Sequence, residues 1–505
     1  MKALQRLPLH GFVILALCIF PLNVVAFAES EAPGEDEEAP EAAAPTDEQP
    51  GSEEASEDLW ENEGGWDGVS FDYYGTLTTA YTKDRISGRR KYEGDLALTC
   101  SYGDYDGRFR VSDLNTYPNV KDPVRLEKYQ LNGPLGSLRF SMGTFPQMLG
   151  AGLVFNAFED QSIEFDTELT GLRLDYPGSD FRATAFAGEQ KYRADPSAIR
   201  LEGGGVEFTV VPGWKVGGNW VHQSTPTAGA GGAGITRVKS DAKSLTTKLA
   251  WGDLSAYFEY ERYRPGGGLA DGRGVYGNAT LALPGLGFTY EYKDYRGIAH
   301  RFCAPPPAKY HPEHASSNPD DEKGQGFLLS WTPFGNSSFI EASYAQSNVH
   351  DGGFGYTELL TSYHSPSEPD FSYVLERTYT NDGFTKDTRW RGDFTCRVAP
   401  DVSAFLMTEI KHLDEFGTTH NEQTVELDMS LGTWLTLAVS QERAPRGALT
   451  RAQRWNLVEL KLQESGQQEL ALTYGKRRGK FVCSGGVCRL EPDFDGWELV
   501  YTRYF

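Results

Sequence analysis

Past its first 28 residues the chain has no apolar run of the roughly 20 residues that a membrane-crossing helix needs, which excludes a helical membrane protein. Cysteine is scarce, six in 505 residues. None stands in a Cys-x-x-Cys-His spacing, so the chain attaches no c-type haem. There is no Gly-x-Ser-x-Gly nucleophile turn, no glycine loop of the phosphate-binding kind and no His-Glu-x-x-His pair. Lys and Arg form no basic patch, which argues against nucleic acid as a partner. The expectation is a protein that is not an enzyme and carries no cofactor.

What remains is rich in aromatics (13%) and glycine (56 residues), while hydrophobic residues make up only 39%. A transmembrane barrel has this profile, because its apolar residues are spread over alternate positions. Residues 1–28 read as a signal peptide. Lys2 and Arg6 form its positive start, Gly11 to Leu22 its apolar centre, and Ala26-Phe27-Ala28 its cleavage site. Residues 29–68 read as a disordered acidic periplasmic segment. Between Glu29 and Glu63 there are 15 Asp/Glu and no Lys or Arg, too little apolar surface to bury against the entropy of folding. The segment is expected to be a spacer or a docking arm for a basic periplasmic partner.

From residue 69 to 505 the pattern changes to alternation with period two, the mark of strands with two unlike faces. In VSFDYYGTLTTAYT, Val69, Phe71, Tyr73, Leu77 and Tyr81 share a face. In the final DFDGWELVYTRYF, Trp497, Leu499, Tyr501, Arg503 and Phe505 share one. Short turns such as Gly252-Asp253 and Pro284-Gly285 alternate with long polar connections such as 190–202, 224–241, 296–323 and 348–385. Short turns at one end and long loops at the other describe an all-β transmembrane antiparallel β-barrel. The turns give about 22 strands, within a range of 18–24. An even count puts both termini on the periplasmic side of a bacterial outer membrane, with lipid and the barrel assembly machinery as partners.

Two resemblances follow. The closing DFDGWELVYTRYF resembles the C-terminal insertion signal of bacterial outer-membrane proteins, although Arg503 stands where that signal has an apolar residue. The pattern Gly143, Pro146, Gly150, Gly152, Leu153, followed by Glu159, resembles a stretch of a functionally uncharacterised, porin-like family of outer-membrane β-barrels. CSGGVCRLEPDFDG is similar to that family's end. The resemblance implies a barrel and leaves its cargo open.

Residues 142–166 interrupt the strand rhythm and are too apolar for a solvated loop. The segment is expected to fold inward as a constriction loop carrying Gly143, Pro146, Gly150, Gly152 and Leu153. A charge facing lipid near the midplane costs about 2–4 kcal/mol for Arg. Arg108, Arg110, Arg389, Arg391, Glu259 and Glu261 alternate with apolar neighbours and are therefore expected to line the pore. Cys483 and Cys488 bracket a Gly-Gly turn in an oxidising compartment and are expected to form a disulfide, with a metal site as the alternative. His300, Cys303, His311 and His314 are weak metal candidates, split by Pro305-Pro306-Pro307. The expected function is a porin-like channel for polar solutes or a polymer. The alternative is a barrel sheath or port of a multi-protein conduit, for extracellular electron transfer or for polysaccharide export or secretion.

Overall fold

The backbone of each strand must find its hydrogen bonds in neighbouring strands, because lipid offers none. The computed structural model describes residues 71–505 apart from 87, 89, 116–124, 161–164, 193–194, 229–234, 299–320, 334–337, 351–354, 367, 369, 416, 446–452, 465 and 485–486. Among the described residues, 24 strands form one antiparallel sheet. Each pairs with its neighbours in chain order, and the first strand, Phe71–Asp84, pairs with the last, Phe494–Tyr504. That seam runs from Thr76 opposite Tyr504 to Asp84 opposite Gly496 and closes the barrel. No described helix is long and apolar enough to cross a membrane.

Alternation decides which side chains face out. Along Thr418–Leu431, Val425, Leu427, Met429 and Leu431 are exposed on the outer face, while Glu422, Glu426 and Asp428 take the other. Trp390 likewise stands outside between Arg389 and Arg391. Cys100 and Cys396 fall on the outer face with their register partners Tyr73 and Phe371, as half-buried thiols. At the seam the inner face is polar: Thr82 donates to Glu498 at 2.9 Å.

The strand count is 24 where the turns gave about 22. The difference is a hairpin, Tyr356–His364 and Phe371–Asn381, inside the polar segment 348–385. Its turn is held by Ser365, whose N–H donates to Tyr373 O at 2.9 Å and whose Oγ accepts from Tyr373 N at 2.8 Å. Two expected loops are also largely strand. Asp195–Val211 and Ile235–Trp251 run for 17 residues each and carry the sheet through most of 190–202 and 224–241. A membrane needs about 9–11 residues per strand, so the sheet continues past the bilayer at the long-loop end. Hydrogen-bonded pairing there needs no apolar outer face, which is why sequence with Arg200, Glu202, Arg237 and Lys239 on that face read as loop. At the other end tight turns such as Gly252-Asp253 and Pro284-Gly285 place glycine at positive φ, where other residues are strained.

Phe505 completes the seam. Its N–H donates to Gly75 O at 3.1 Å and its carbonyl accepts from Gly75 N at 2.7 Å. The ring lies over Gly75, where an added Cβ would fall 2.8 Å from both the ring and Ala97 O. Gly75→Val, or deletion of Phe505, should therefore reduce assembled, heat-modifiable barrel in membranes by more than half. Wild-type amounts in both variants would show that the Phe505–Gly75 contact is dispensable for closure.

Candidate functional site

The interior is divided between an apolar half and a charged half by one hairpin that leaves the wall. Strand Leu138–Phe145 ends beside Gly143, which has φ 106°, and a Cβ there would lie 2.1 Å from Tyr129 O. Past Pro146 the chain turns into the lumen and forms two small ribbons. The first pairs Gln147–Leu149 with Phe155–Ala157, and the second pairs Glu159–Asp160 with Phe165–Asp166. Thr167 ties the exit, donating its N–H to Phe158 O at 2.9 Å and accepting from Phe158 N at 3.0 Å. The wall resumes with Leu169–Pro177.

Burial holds the hairpin in place. Leu149, Val154, Phe155 and Ala157 pack on the inward residues Phe186, Ile199, Leu201, Val221, Ala242 and Tyr263. Phe155 stacks on Phe186 at 5.0 Å between ring centres. Leu153 enters a second cluster with Tyr276, Tyr295 and Ile298. Leu153, Val154 and Phe155 are completely buried, and each such side chain contributes about 1.5–3 kcal/mol when taken out of water.

Polar contacts fix both ends. At the tip, Ala151 N–H donates to a Glu259 carboxylate oxygen at 2.7 Å, and Tyr257 Oη–H donates to it at 2.8 Å. Gly150 has φ 61°, and a Cβ on it would sit 2.3 Å from that carboxylate. At the base, Arg110 bonds Asp95 at 2.6 Å and also binds Glu159. Lys128 reaches Glu159 at 2.9 Å, Asp166 at 3.0 Å and Glu168 at 2.5 Å. Burial pushes the Glu159 carboxyl up, but its bonds to Lys128 and Arg110 outweigh this and hold it below the usual glutamate range. Arg173 anchors the entry, with Nη1 donating to Pro146 O at 3.2 Å.

The residues singled out from sequence are thus distributed over two walls. Gly143, Pro146, Gly150, Gly152 and Leu153 all lie at the start or in the first ribbon of the hairpin. Glu259 and Glu261 point inward and are covered completely, Glu259 by the hairpin tip. Arg110 holds the hairpin base, and Arg108 shares its face. Arg389 and Arg391 stand on a separate arc. Arg391 forks onto Asp393 at 2.9 and 3.0 Å, and Arg389 faces Glu409 at 3.9 Å. On that arc carboxylates outnumber cations: Glu376, Glu426, Asp428 and Glu459 share the inward face with Glu409.

Sequence reasoning missed Asp95, Lys128, Asp166 and Glu168, and the buried pair Lys293–Glu322 at 2.9 Å. The available signal was a charge at an inward position of an otherwise aromatic strand, as in Tyr292-Lys293-Asp294-Tyr295. Cys483 and Cys488 oppose each other in the register of the Lys480–Ser484 and Val487–Glu491 ribbon; their side chains lie outside the described residues. His300, Cys303, His311 and His314 also lie outside them. Among the described residues no group of three or more His, Cys, Asp or Glu could hold a metal ion.

A closed sheet of 24 strands, apolar outside and charged within, defines an outer-membrane-type β-barrel. The chain belongs to a family of unknown function, DUF6029, whose model matches residues 106–301 and 396–505. No curated protein matches the sequence. Among solved structures it is similar to the siderophore receptor PirA from Pseudomonas aeruginosa, at 10% identity and a TM-score of 0.44, over 86% of this chain and 80% of that one. The P pilus usher PapC translocation pore gives 10% identity and a TM-score of 0.41, over 86% and 99%. OccK11 of Pseudomonas aeruginosa gives 12% and 0.39, over 68% and 96%. These are distant likenesses of fold.

The base contacts generate a test. Lys128→Ala leaves Glu159, Asp166 and Glu168 without their shared cation and should weaken hairpin docking by roughly 2 kcal/mol. Protease cleavage within 146–168 of the folded barrel should rise accordingly. Acid should act the same way. A carboxylate whose pKa is lowered by docking stabilises the docked state above its ordinary pKa, and that stabilisation fades as pH falls through the lowered value. The part of the protection that Glu159 supplies should therefore be complete at about pH 5, above the ordinary glutamate range, and fade as the pH falls through its lowered value. Equal cleavage of wild type and variant would remove the cluster as the hairpin's anchor.

Proposed function

We propose that this protein is an outer-membrane channel, porin-like in action, that passes polar solutes through a lumen narrowed by the hairpin between Phe145 and Phe158. The observation that carries the reading is the division of the lumen. The hairpin closes over the apolar arc from Phe186 to Tyr295, and the arc bearing Arg389, Arg391 and Glu409 keeps its charges inward. In a hydrated pore, rows of charged side chains set which ions pass. The carboxylate excess of Glu376, Glu409, Glu426, Asp428 and Glu459 favours cations over anions. The chain does no chemistry of its own in this reading, and Arg108 and Arg110 serve as lining and anchor.

The short-turn end faces the periplasm, which puts both termini there. Residues 29–68 then lie beneath the barrel as a spacer or as an arm for a basic periplasmic partner, after removal of the signal at 1–28. The closing strand with Phe505 is what the assembly machinery receives. The acidic segment also favours a second reading, in which the barrel is a sheath or port of a conduit and a partner fills the lumen.

Conductance of the purified barrel in a planar bilayer separates the readings. The channel gives open, ohmic current with a modest cation preference, and replacing residues 147–157 by a short Gly-Ser link raises the conductance. A barrel that stays silent in both forms points to the filled port. An assembled deletion with unchanged conductance makes the hairpin a packing element alone.

The register pairing of Cys483 with Cys488 supports a disulfide in the ribbon before the closing strand. Closing so short a loop contributes about 2 kcal/mol. Both thiols should resist alkylation in intact cells until a reductant is added; labelling without reductant would show that they are free.

A further inference from the structure

Four cations stand in one register row on the outside of the barrel. Lys243 lies opposite Arg262, Arg262 opposite Arg273, and Arg273 opposite Arg296. All four are exposed, and they alternate with inward residues such as Glu261, Gly274 and Tyr295. Neighbouring strands are about 4.8 Å apart, and like charges directly opposite each other destabilise a sheet. Such a row is stable when an anion lies along it. Asp271 supplies part of that charge, 3.0 Å from Arg262 and 3.7 Å from Arg264, and Asp294 lies 3.5 Å from Arg296. Among the described residues Lys243 and Arg273 have no carboxylate within ion-pair distance.

The position of the row says what the anion is. The outward residues directly below it are Leu245, Tyr260 and Val275, with Asp294 under Arg296 at the row's end, and the apolar face continues down to Trp251, Leu254 and Leu281 near the short turns. From Leu254 to Arg262 the strand climbs about 20 Å along the barrel axis, at about 3.3 Å per residue and a tilt near 40°. The apolar band of such barrels is about 25 Å tall, so the row marks its upper border. On the far side Arg443 lies opposite Arg454 at a matching height above Leu435 and Leu462. An occupant must therefore carry negative charge over an apolar body that lies against the barrel wall.

We propose that Lys243, Arg262, Arg273 and Arg296 bind the phosphate groups of an anionic lipid in the outer leaflet. Guanidinium forks match phosphate oxygens two at a time, and the acyl chains lie against Tyr260, Val275 and the apolar rows beneath. The inference rests on the reading that the long-loop end faces outward, which is checked separately by surface labelling of a cysteine placed at Gly268.

The binding test does not depend on orientation. Purified barrel in neutral detergent is titrated with a diphosphorylated lipid A, with the same lipid dephosphorylated, and with inorganic phosphate, and binding is read by native mass spectrometry. The diphosphorylated lipid should bind, the dephosphorylated one weakly, and inorganic phosphate not at all. A Lys243→Gln, Arg262→Gln, Arg273→Gln barrel should lose affinity by roughly fivefold per cation removed. If that variant assembles poorly, Arg273→Gln alone should still show its own roughly fivefold loss. Equal binding of phosphorylated and dephosphorylated lipid, unchanged affinity in the variants, or no binding by wild type would each overturn the proposal.

Discussion

The constraint on which everything else depends is that a sheet in lipid can have no free edge. Here it is met at one place, where Phe71–Asp84 accepts Phe494–Tyr504 across more than 400 residues of chain. Among the described residues every other pairing within the barrel sheet is between strands that are neighbours in sequence. The seam alone has to wait for the whole chain, and it ends on a residue fitted to a glycine. Phe505 needs the space that Gly75 leaves, and Gly75 needs a partner for its backbone groups. Closure then forces the alternation that governs the rest. Once each strand has a fixed inside and outside, every charged position is assigned to water or to lipid headgroups.

The hairpin follows from that assignment. In a barrel the inward face is expected to be polar, yet Phe186, Ile199, Leu201, Val221 and Ala242 point inward. An apolar arc inside a hydrated lumen needs a cover, and the segment 146–168 has the matching composition. Its tip is fastened by Glu259, which is fully buried, and its base by Lys128, half-shielded among three carboxylates. The charged arc needs no cover and keeps both signs in view.

Much of this was legible in the sequence. Period-two alternation fixes faces, so the outward Trp390 and inward Arg391 could be read directly, as could turns such as Gly252-Asp253 and Pro284-Gly285. The segment 142–166 stood out because its apolar content contradicted its lack of rhythm. Two things were not legible. Strand length beyond the bilayer needs no apolar outer face, so residues 195–202 and 235–241, with Arg200, Glu202, Arg237, Lys239 and Asp241 on that face, read as loop although Ile199 and Leu201 point inward. And alternation says that Glu259 faces inward without saying what lies over it. The cover comes from a segment about a hundred residues away, and only packing reveals that its carboxylate is capped by Ala151 rather than open to the lumen.

The hairpin also has a mechanical meaning. Its base is tied to the second, third and fourth strands of the wall through Asp95, Arg110 and Lys128, and its tip reaches the strands that carry Glu259, Tyr276 and Tyr295. It is a strut laid across roughly half the circumference. A wide cylinder one residue thick is soft to flattening, whereas one braced on a chord resists it along that direction. The braced half is held to one curvature, and the unbraced half, with its paired charges, is where the ring can breathe.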